Sequence, residues 1–305
     1  MILALVAVLL FTGLGAALAA MHRGRDYDPR DEKVIAKSCW ARYQDTVLQG
    51  AGWIVSQPTE EMTVTSHDGL RLSGRLLTVE QPKGTILLFH GYRSMACIDF
   101  SCAARYYHNL GYNLILIDQR SHGHSQGTYI TYGVLERQDC QAWCEAAYRR
   151  FGDTMPLYLS GVSMGATTVL MSADLPLPPT VRGIIADCGF TSPRDIIVHV
   201  MKTRCHLPQY PLIWFVEFWA RILARIRLDQ CSTVDTLSRS RLPVLLVHGT
   251  GDRFVPCSMS QAAYEACTSE KHLLLVEGAG HGASFIVDEP TYKQEVEAFL
   301  AAHPL

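Results

Sequence analysis

From residue 60 onward, apolar positions change rhythm at regular intervals. Met62–Ser66 alternates, His67-Asp68-Gly69 is a turn, and Leu70–Val79 alternates again, which predicts a hairpin. Near-continuous apolar runs follow at Thr85–Phe89, Asn113–Ile117, Leu157–Ser160, Gly183–Ala186, Val244–Val247 and His272–Val276. Between them lie helical stretches at about 99–110, 133–151, 164–174, 257–268 and 290–302. Short, wholly apolar strands separated by helices predict an α/β fold, with a mostly parallel sheet covered on both faces. There is no internal repeat and no low-complexity stretch.

Two segments depart from this rhythm. Ile2–Met21 carries no charge and is as long as the roughly 20 residues of a membrane-spanning helix. Arg23 and Arg25 follow it, which predicts an N-terminal anchor (residues 1–21) with the main domain on the cytoplasmic side. Ala17-Leu18-Ala19 resembles a cleavage site, so a removed signal peptide and a secreted domain are the alternative. Residues 22–59 read as a polar linker and a lead-in helix over 34–56, and 60–305 as the main domain. Within that domain, about 190–240 is an insertion containing an aromatic-rich run, 211–225. Glu217 and Arg221 are spaced to pair on one helix face. The run reads as a core helix, as a cap offering Trp214, Phe215, Phe218 and Trp219 to an apolar ligand, or as a membrane-contacting face.

Composition removes some classes. With 27 Lys+Arg against 29 Asp+Glu, the net charge is -2, and no basic stripe supports a nucleic-acid partner. An apolar fraction of 48% excludes disorder as a main theme. The 10 cysteines are scattered and none forms a CxxC pair. Free thiols suit a reducing compartment, with a few disulfides as the alternative.

Candidate chemistry centres on Gly161-Val-Ser163-Met-Gly165, which fits G-x-S-x-G. The pentapeptide is weakly specific alone. Its position is informative, because it ends an apolar strand and opens a helix. A sharp turn there lifts a serine oxygen above the sheet, and the helix N-terminus faces developing negative charge. A serine nucleophile needs a base and a group that orients the base. Asp252 follows the strand at 244–247, and His281 follows the next in a Gly-rich loop. Asp235 and Asp288 are the other nearby acids. Oxyanion donors are assigned to the backbone N–H groups of Tyr92, in the loop after Thr85–Phe89, and Met164. His90 reads as a structural residue of that loop. Asp118, His122 and His124 read as a turn-rich loop in preference to a metal site, and Cys140 and Cys144 as a buried helix face. No metal and no organic cofactor is expected.

These motifs resemble the α/β-hydrolase superfamily. They are His90-Gly91-Tyr92, Asp118-Gln-Arg-Ser-His-Gly-His-Ser, the Ser163 pentapeptide, the Asp252 loop and Gly280-His281. The chain is similar to a bacterial membrane-anchored branch described as serine aminopeptidase-like or monoacylglycerol-lipase-like, and the opening His67-Asp68-Gly69 hairpin matches too. The resemblance implies an eight-stranded sheet and a Ser-His-Asp triad. The fourth-strand motif departs from it, with Ser121 where many relatives have Gly. The expected activity is hydrolysis of a small or lipid-like acyl ester through an acyl-enzyme. An aminopeptidase or amidase, or a non-catalytic binding module of the same fold, are the alternatives.

Overall fold

The computed structural model describes the backbone of residues 2–305 and the side-chain surroundings of residues 7–305. Its strands are β1 (Glu60–Thr65), β2 (Arg71–Leu77), β3 (Gly84–Phe89), β4 (Tyr112–Asp118), β5 (Leu157–Val162), β6 (Val181–Asp187), β7 (Val244–Gly249) and β8 (Lys271–Val276). The helices are α1 (Ile2–Met21), α2 (Glu32–Ile35), α3 (Gln44–Ser56), α4 (Ala96–Asp99), α5 (Ala103–Asn109), α6 (Glu136–Phe151) and α7 (Met164–Ser172). They continue with α8 (Pro193–Thr203), α9 (Leu212–Leu223), α10 (Thr233–Leu237), α11 (Ser258–Ala266), α12 (Ser284–Val287) and α13 (Glu289–Ala302).

The eight strands form one sheet in the order β1-β2-β4-β3-β5-β6-β7-β8. Only β2 runs against its neighbours, pairing antiparallel with both β1 and β4. The remaining pairs are parallel. Every residue of β3, β5 and β7 is buried, which explains their unbroken apolar runs. The edge strand β1 is largely exposed and the edge strand β8 mostly half-buried. One face is covered by α3, α5 and α13, through Val47, Ile54, Tyr107, Val296 and Phe299. The other is covered by α6, α7 and α11, through Trp143, Leu170 and Ala263. Cys140 and Cys144 lie on the buried face of α6. All ten cysteines are free thiols.

A third apolar cluster lies outside this sandwich and joins α1, α8 and α9 to Met164, Phe190 and Val255. It bears on two expectations. Among the described residues, no helix is long and apolar enough to cross a membrane. Part of α1 packs against the protein, while Val8 and Phe11 are 60% and 74% exposed. Ala17 and Met21 are fully buried, Gly13 lies against the backbone of Phe215, and Trp219 donates its indole N–H to Leu10 O at 2.9 Å. The anchor expected over 1–21 also covers residues 1–6, whose side chains lie outside the described residues. The second concerns α9, one face of which is packed as a core helix would be. Its buried face is Ile213, Val216, Glu217 and Ala220, while Trp214 and Phe218 are 60% and 46% exposed. Glu217 does pair with Arg221 at 3.1 Å, and also with Arg194 at 3.1 Å.

The lead-in region is not one helix. It breaks after α2 and resumes through a single 3-10 turn, Ala41–Tyr43, into α3. Ser38 sets the break, donating to Ile35 O and accepting the Trp40 N–H. The turn buries Trp40 against Gly282, where even a methyl group would lie 3.1 Å from the indole. A periodicity argument cannot see this, because the partner is more than two hundred residues away.

Candidate active site

The C-terminal ends of β3, β5, β7 and β8 supply the loops that converge on one point. Ser163 stands between β5 and α7 with φ 56 and ψ -116. This is a strained conformation for a residue with a side chain, costing about 1–3 kcal/mol. The glycines on either side allow it. A Cβ on Gly161 would overlap the backbone of Gly165, and one on Gly165 would overlap Phe89 O and approach His90 O.

The three residues expected from sequence meet here. Ser163 Oγ lies 2.8 Å from His281 Nε2, and His281 Nδ1 lies 2.7 Å from Asp252 Oδ2. An ionised carboxylate only accepts, so Nδ1 carries the proton and donates to Asp252. Nε2 is then free to accept the serine proton. Asp252 Oδ1 accepts the N–H groups of Phe254 and Val255 at 2.8 and 3.0 Å. His248 Nε2 lies 3.3 Å from Oδ2. Burial opposes ionisation of Asp252, but the hydrogen bonds from His248 and His281 outweigh it and hold the carboxyl well below the usual carboxylate range. The other acids considered have other partners. Asp235 accepts from Ser232, which caps α10, and Asp288 caps α13 through the Thr291 N–H.

The two amides expected to face an oxyanion are open. Among the described residues, neither the Tyr92 N–H nor the Met164 N–H has a partner, whereas the adjacent Ser163 N–H donates to Asp187 O at 2.8 Å. The amides flanking Tyr92 are engaged as well. Gly91 N–H donates to Asp99 at 2.6 Å, and Arg93 N–H donates to His122 Nε2 at 3.0 Å. The loop therefore presents one donor between two clamped neighbours. A Cβ built on Gly91 would lie 3.3 Å from Ser163 Cβ, so this loop passes directly beside the serine.

His122 is the residue that sequence reasoning undervalued. Its Nδ1 donates to Arg120 O at 2.9 Å, which leaves Nε2 as an acceptor. Burial pushes its pKa well below the ordinary histidine value and keeps that tautomer neutral. His90 uses the same arrangement, with Nδ1 to Gly91 O and Nε2 accepting from Gln119 N–H at 3.1 Å. Both nitrogens of His122 are thus engaged by loop peptides, and Asp118 accepts the His124 N–H. The signal was available in the topology: β3 and β4 are parallel neighbours, so the loops after them must touch. His122→Ala is expected to lower kcat about ten- to a hundredfold with little change in KM. That is less than the 10²–10³ for deleting an oxyanion donor. Steady-state kinetics would check this, and a variant with wild-type kcat would remove His122 from the positioning of Tyr92.

Asp187 lies below the triad, fully buried, and accepts the Ser284 hydroxyl at 3.0 Å. Burial raises its pKa to about 6. Its folded value exceeds the unfolded one, so the folded state binds the extra proton between about pH 4 and 6 and loses stability as pH rises through that window. Asp187→Asn is therefore expected to gain stability relative to wild type as pH rises from 4 to 6, with a constant difference above. Urea unfolding at pH 4.5 and 7.5 would check the sign, and a pH-independent difference would contradict it.

A cleft of about 740 Å³ opens over Ser163 and His281. Its apolar lining includes Ile35, Trp40, Tyr92, Val162, Val200 and Phe254. Trp214, Phe215, Phe218 and Trp219 do not line it, so of the three readings of this run the cap over the ligand finds no support in the cleft. The insertion contributes Val200 and Arg204 instead. The last turn of α1 and the residue after it also matter. Arg93 donates to Ala19 O and His22 O, both at 2.9 Å, and the Tyr92 hydroxyl donates to Ala20 O at 2.8 Å.

Two family profiles match the chain. One described as serine aminopeptidase, S33, covers residues 80–228, and one described as TAP-like protein covers 225–303. The chain belongs to the α/β-hydrolase superfamily. This α/β hydrolase is related to esterases. It is 26% identical over 254 residues to the caffeoylshikimate esterase of Arabidopsis thaliana, covering 70% of this chain and 75% of that one. It is 25% identical over 240 residues to the uncharacterised protein YqkD of Bacillus subtilis, covering 78% and 77%. Among solved structures, the Pyrococcus furiosus esterase Pf2001 superposes with a TM-score of 0.65 at 22% identity, over 83% of this chain and 94% of that one. At that identity the likeness concerns the fold.

Proposed function

We propose that this α/β hydrolase cleaves carboxylic esters through Ser163, His281 and Asp252. The observation that carries the reading is the continuous line from Ser163 Oγ to His281 Nε2 at 2.8 Å and from Nδ1 to Asp252 at 2.7 Å, beside two open amides. His281 Nε2 takes the serine proton as Oγ attacks the ester carbonyl. The negative charge that develops on the carbonyl oxygen is met by the N–H groups of Tyr92 and Met164 and by the N-terminus of α7. Asp252 keeps Nδ1 protonated and stabilises the imidazolium. That cation returns its proton to the leaving alkoxide, leaving Ser163 acylated. Water then enters, loses a proton to Nε2 and releases the carboxylic acid. No step calls for a metal or an organic cofactor.

Peptide or amide hydrolysis is the alternative suggested by the name of the first family profile. The lining of the cleft does not favour it. A substrate amine needs a carboxylate, and Asp99 on the wall already accepts from Gly91 N–H and the Ser94 hydroxyl.

The test is labelling of the full chain by a fluorophosphonate probe, alongside turnover of p-nitrophenyl esters and aminoacyl p-nitroanilides. Labelling that Ser163→Ala abolishes, with esters turned over faster than anilides, is the expected result. A folded protein that neither labels nor turns over would favour a binding module.

A further inference from the structure

The inference deepens the ester-hydrolase reading and rests on it. The cleft carries more positive charge than ester cleavage requires. Lys37, Arg93, Arg204 and Arg253 all line it. They come from four separate segments: the turn after α2 and the loops after β3, α8 and β7. They are therefore not the solvated face of one helix. All four are exposed at the rim of the cleft, whereas three arginines placed more deeply elsewhere are paired. Arg120 meets Asp68 and Asp139, Arg137 meets Asp174, and Arg194 meets Glu217. Among the described residues, none of the four cleft cations has a carboxylate oxygen within 4.0 Å.

Two of the cations are held close to the reacting groups. The Arg93 guanidinium lies over the Tyr92 ring at 4.9 Å and is fixed by the Ala19 and His22 carbonyls. It thus flanks the residue whose amide faces the oxyanion position. The Arg204 guanidinium lies over the Phe254 ring at 5.8 Å, and that ring is 5.0 Å from the His281 ring. Four like charges, against the single carboxylate of Asp99 on the wall, leave the cleft positive, and low-dielectric walls focus that field into the space between them. An anion bound there is stabilised by that field. A neutral ester is not.

We propose that the substrate is an ester whose apolar body carries an anionic group, of carboxylate or phosphate type, at the end remote from the scissile bond. The apolar body contacts Trp40, Val200 and Phe254, and the anion meets Arg204 and Arg253 at the rim. The chemistry of hydrolysis is unchanged. The cations raise capture of the substrate and orient it.

The test compares three activated esters of equal chain length on the full chain: p-nitrophenyl hexanoate, its ω-carboxylate analogue and its ω-phosphonate analogue. The ratio of kcat/KM, anionic over neutral, is expected to exceed about ten at low salt and to fall toward one at about 0.5 M salt, where the Debye length is only a few ångströms. The carboxylate and phosphonate arms show which anion is taken. In Arg204→Gln/Arg253→Gln the ratio is expected to collapse toward one. An active protein with a ratio near one, or with the neutral ester preferred, overturns the inference while leaving ester hydrolysis standing. So does a protein that is labelled at Ser163 by the fluorophosphonate yet turns over none of the three. Failure of the parent reading is distinct: the folded protein is not labelled at all, and the inference falls with it.

Discussion

Ser163→Ala, His281→Ala and the double variant are expected to lose the same factor in kcat, about 10⁶. The reason lies in the proposed division of labour. Among the described residues, Ser163 Oγ has no other base within reach, and His281 Nε2 has no other proton to take at 2.8 Å. Removing either side chain leaves the other without a task, so the two losses do not add. The residual rate, about 10³–10⁴ over water, is what the Tyr92 and Met164 amides and the cleft supply on their own. Asp252→Asn is expected to fall less far, by about 10⁴, because an amide cannot hold His281 in the tautomer with Nδ1 protonated. Single-turnover and steady-state kinetics on a p-nitrophenyl ester, with circular dichroism to confirm folding, would check the series. A double variant much slower than either single one would mean that the two residues act separately. The proposed mechanism would then be wrong.

The parts of this architecture visible in the sequence are those set by short-range rules. An apolar run that ends in Gly-x-Ser-x-Gly has few ways to fold, since the glycines permit a turn that other residues would block. Asp252 and His281 were visible for a related reason. Each sits just past the C-terminal end of an apolar parallel strand, where loops of the sheet gather. What was hidden depends on contacts between distant segments. Trp214 and Phe218 share the aromatic character of Phe215 and Trp219, and composition cannot say which of them faces α1 and which faces solvent. Only the docking of α1 along α9 decides that. The same contact involves the C-terminal half of Ile2–Met21. An uncharged run satisfies the pattern of a membrane span, yet in the structure Ala17 and Met21 are covered by protein. His122 was hidden in another way. Its motif was legible, but its use, accepting the Arg93 N–H, becomes apparent only when the β3 and β4 loops are placed side by side.

The largest stability effect is expected at Arg120, beneath that loop. Its guanidinium is buried and forms two bonds to Asp139, at 2.6 and 2.7 Å, and two to Asp68, at 3.0 and 3.1 Å. Asp68 is 38% exposed on its side chain and Asp139 only 5%. The two carboxylates therefore respond differently when Arg120 is removed. Asp68 turns to water. Asp139 stays buried with its charge unmatched. Burial already raises its pKa to about 6 with Arg120 pulling it back, and without the arginine it rises further. Arg120→Met is expected to cost about 3–5 kcal/mol at pH 7.5, the usual penalty for breaking a buried pair on one side. The sign of the pH dependence follows from the raised carboxyl. In the variant, protonated Asp139 is compatible with the fold, so the deficit against wild type shrinks as pH falls below that raised value. Asp139→Leu in the Arg120→Met background removes the stranded charge and is expected to recover much of the loss. Urea unfolding of the three proteins at pH 7.5 and 5.5 would check it. If the deficit is the same at both pH values and Asp139→Leu restores nothing, Arg120 contributes by packing alone. The loop carrying His122 would then owe its position to something other than this ion pair.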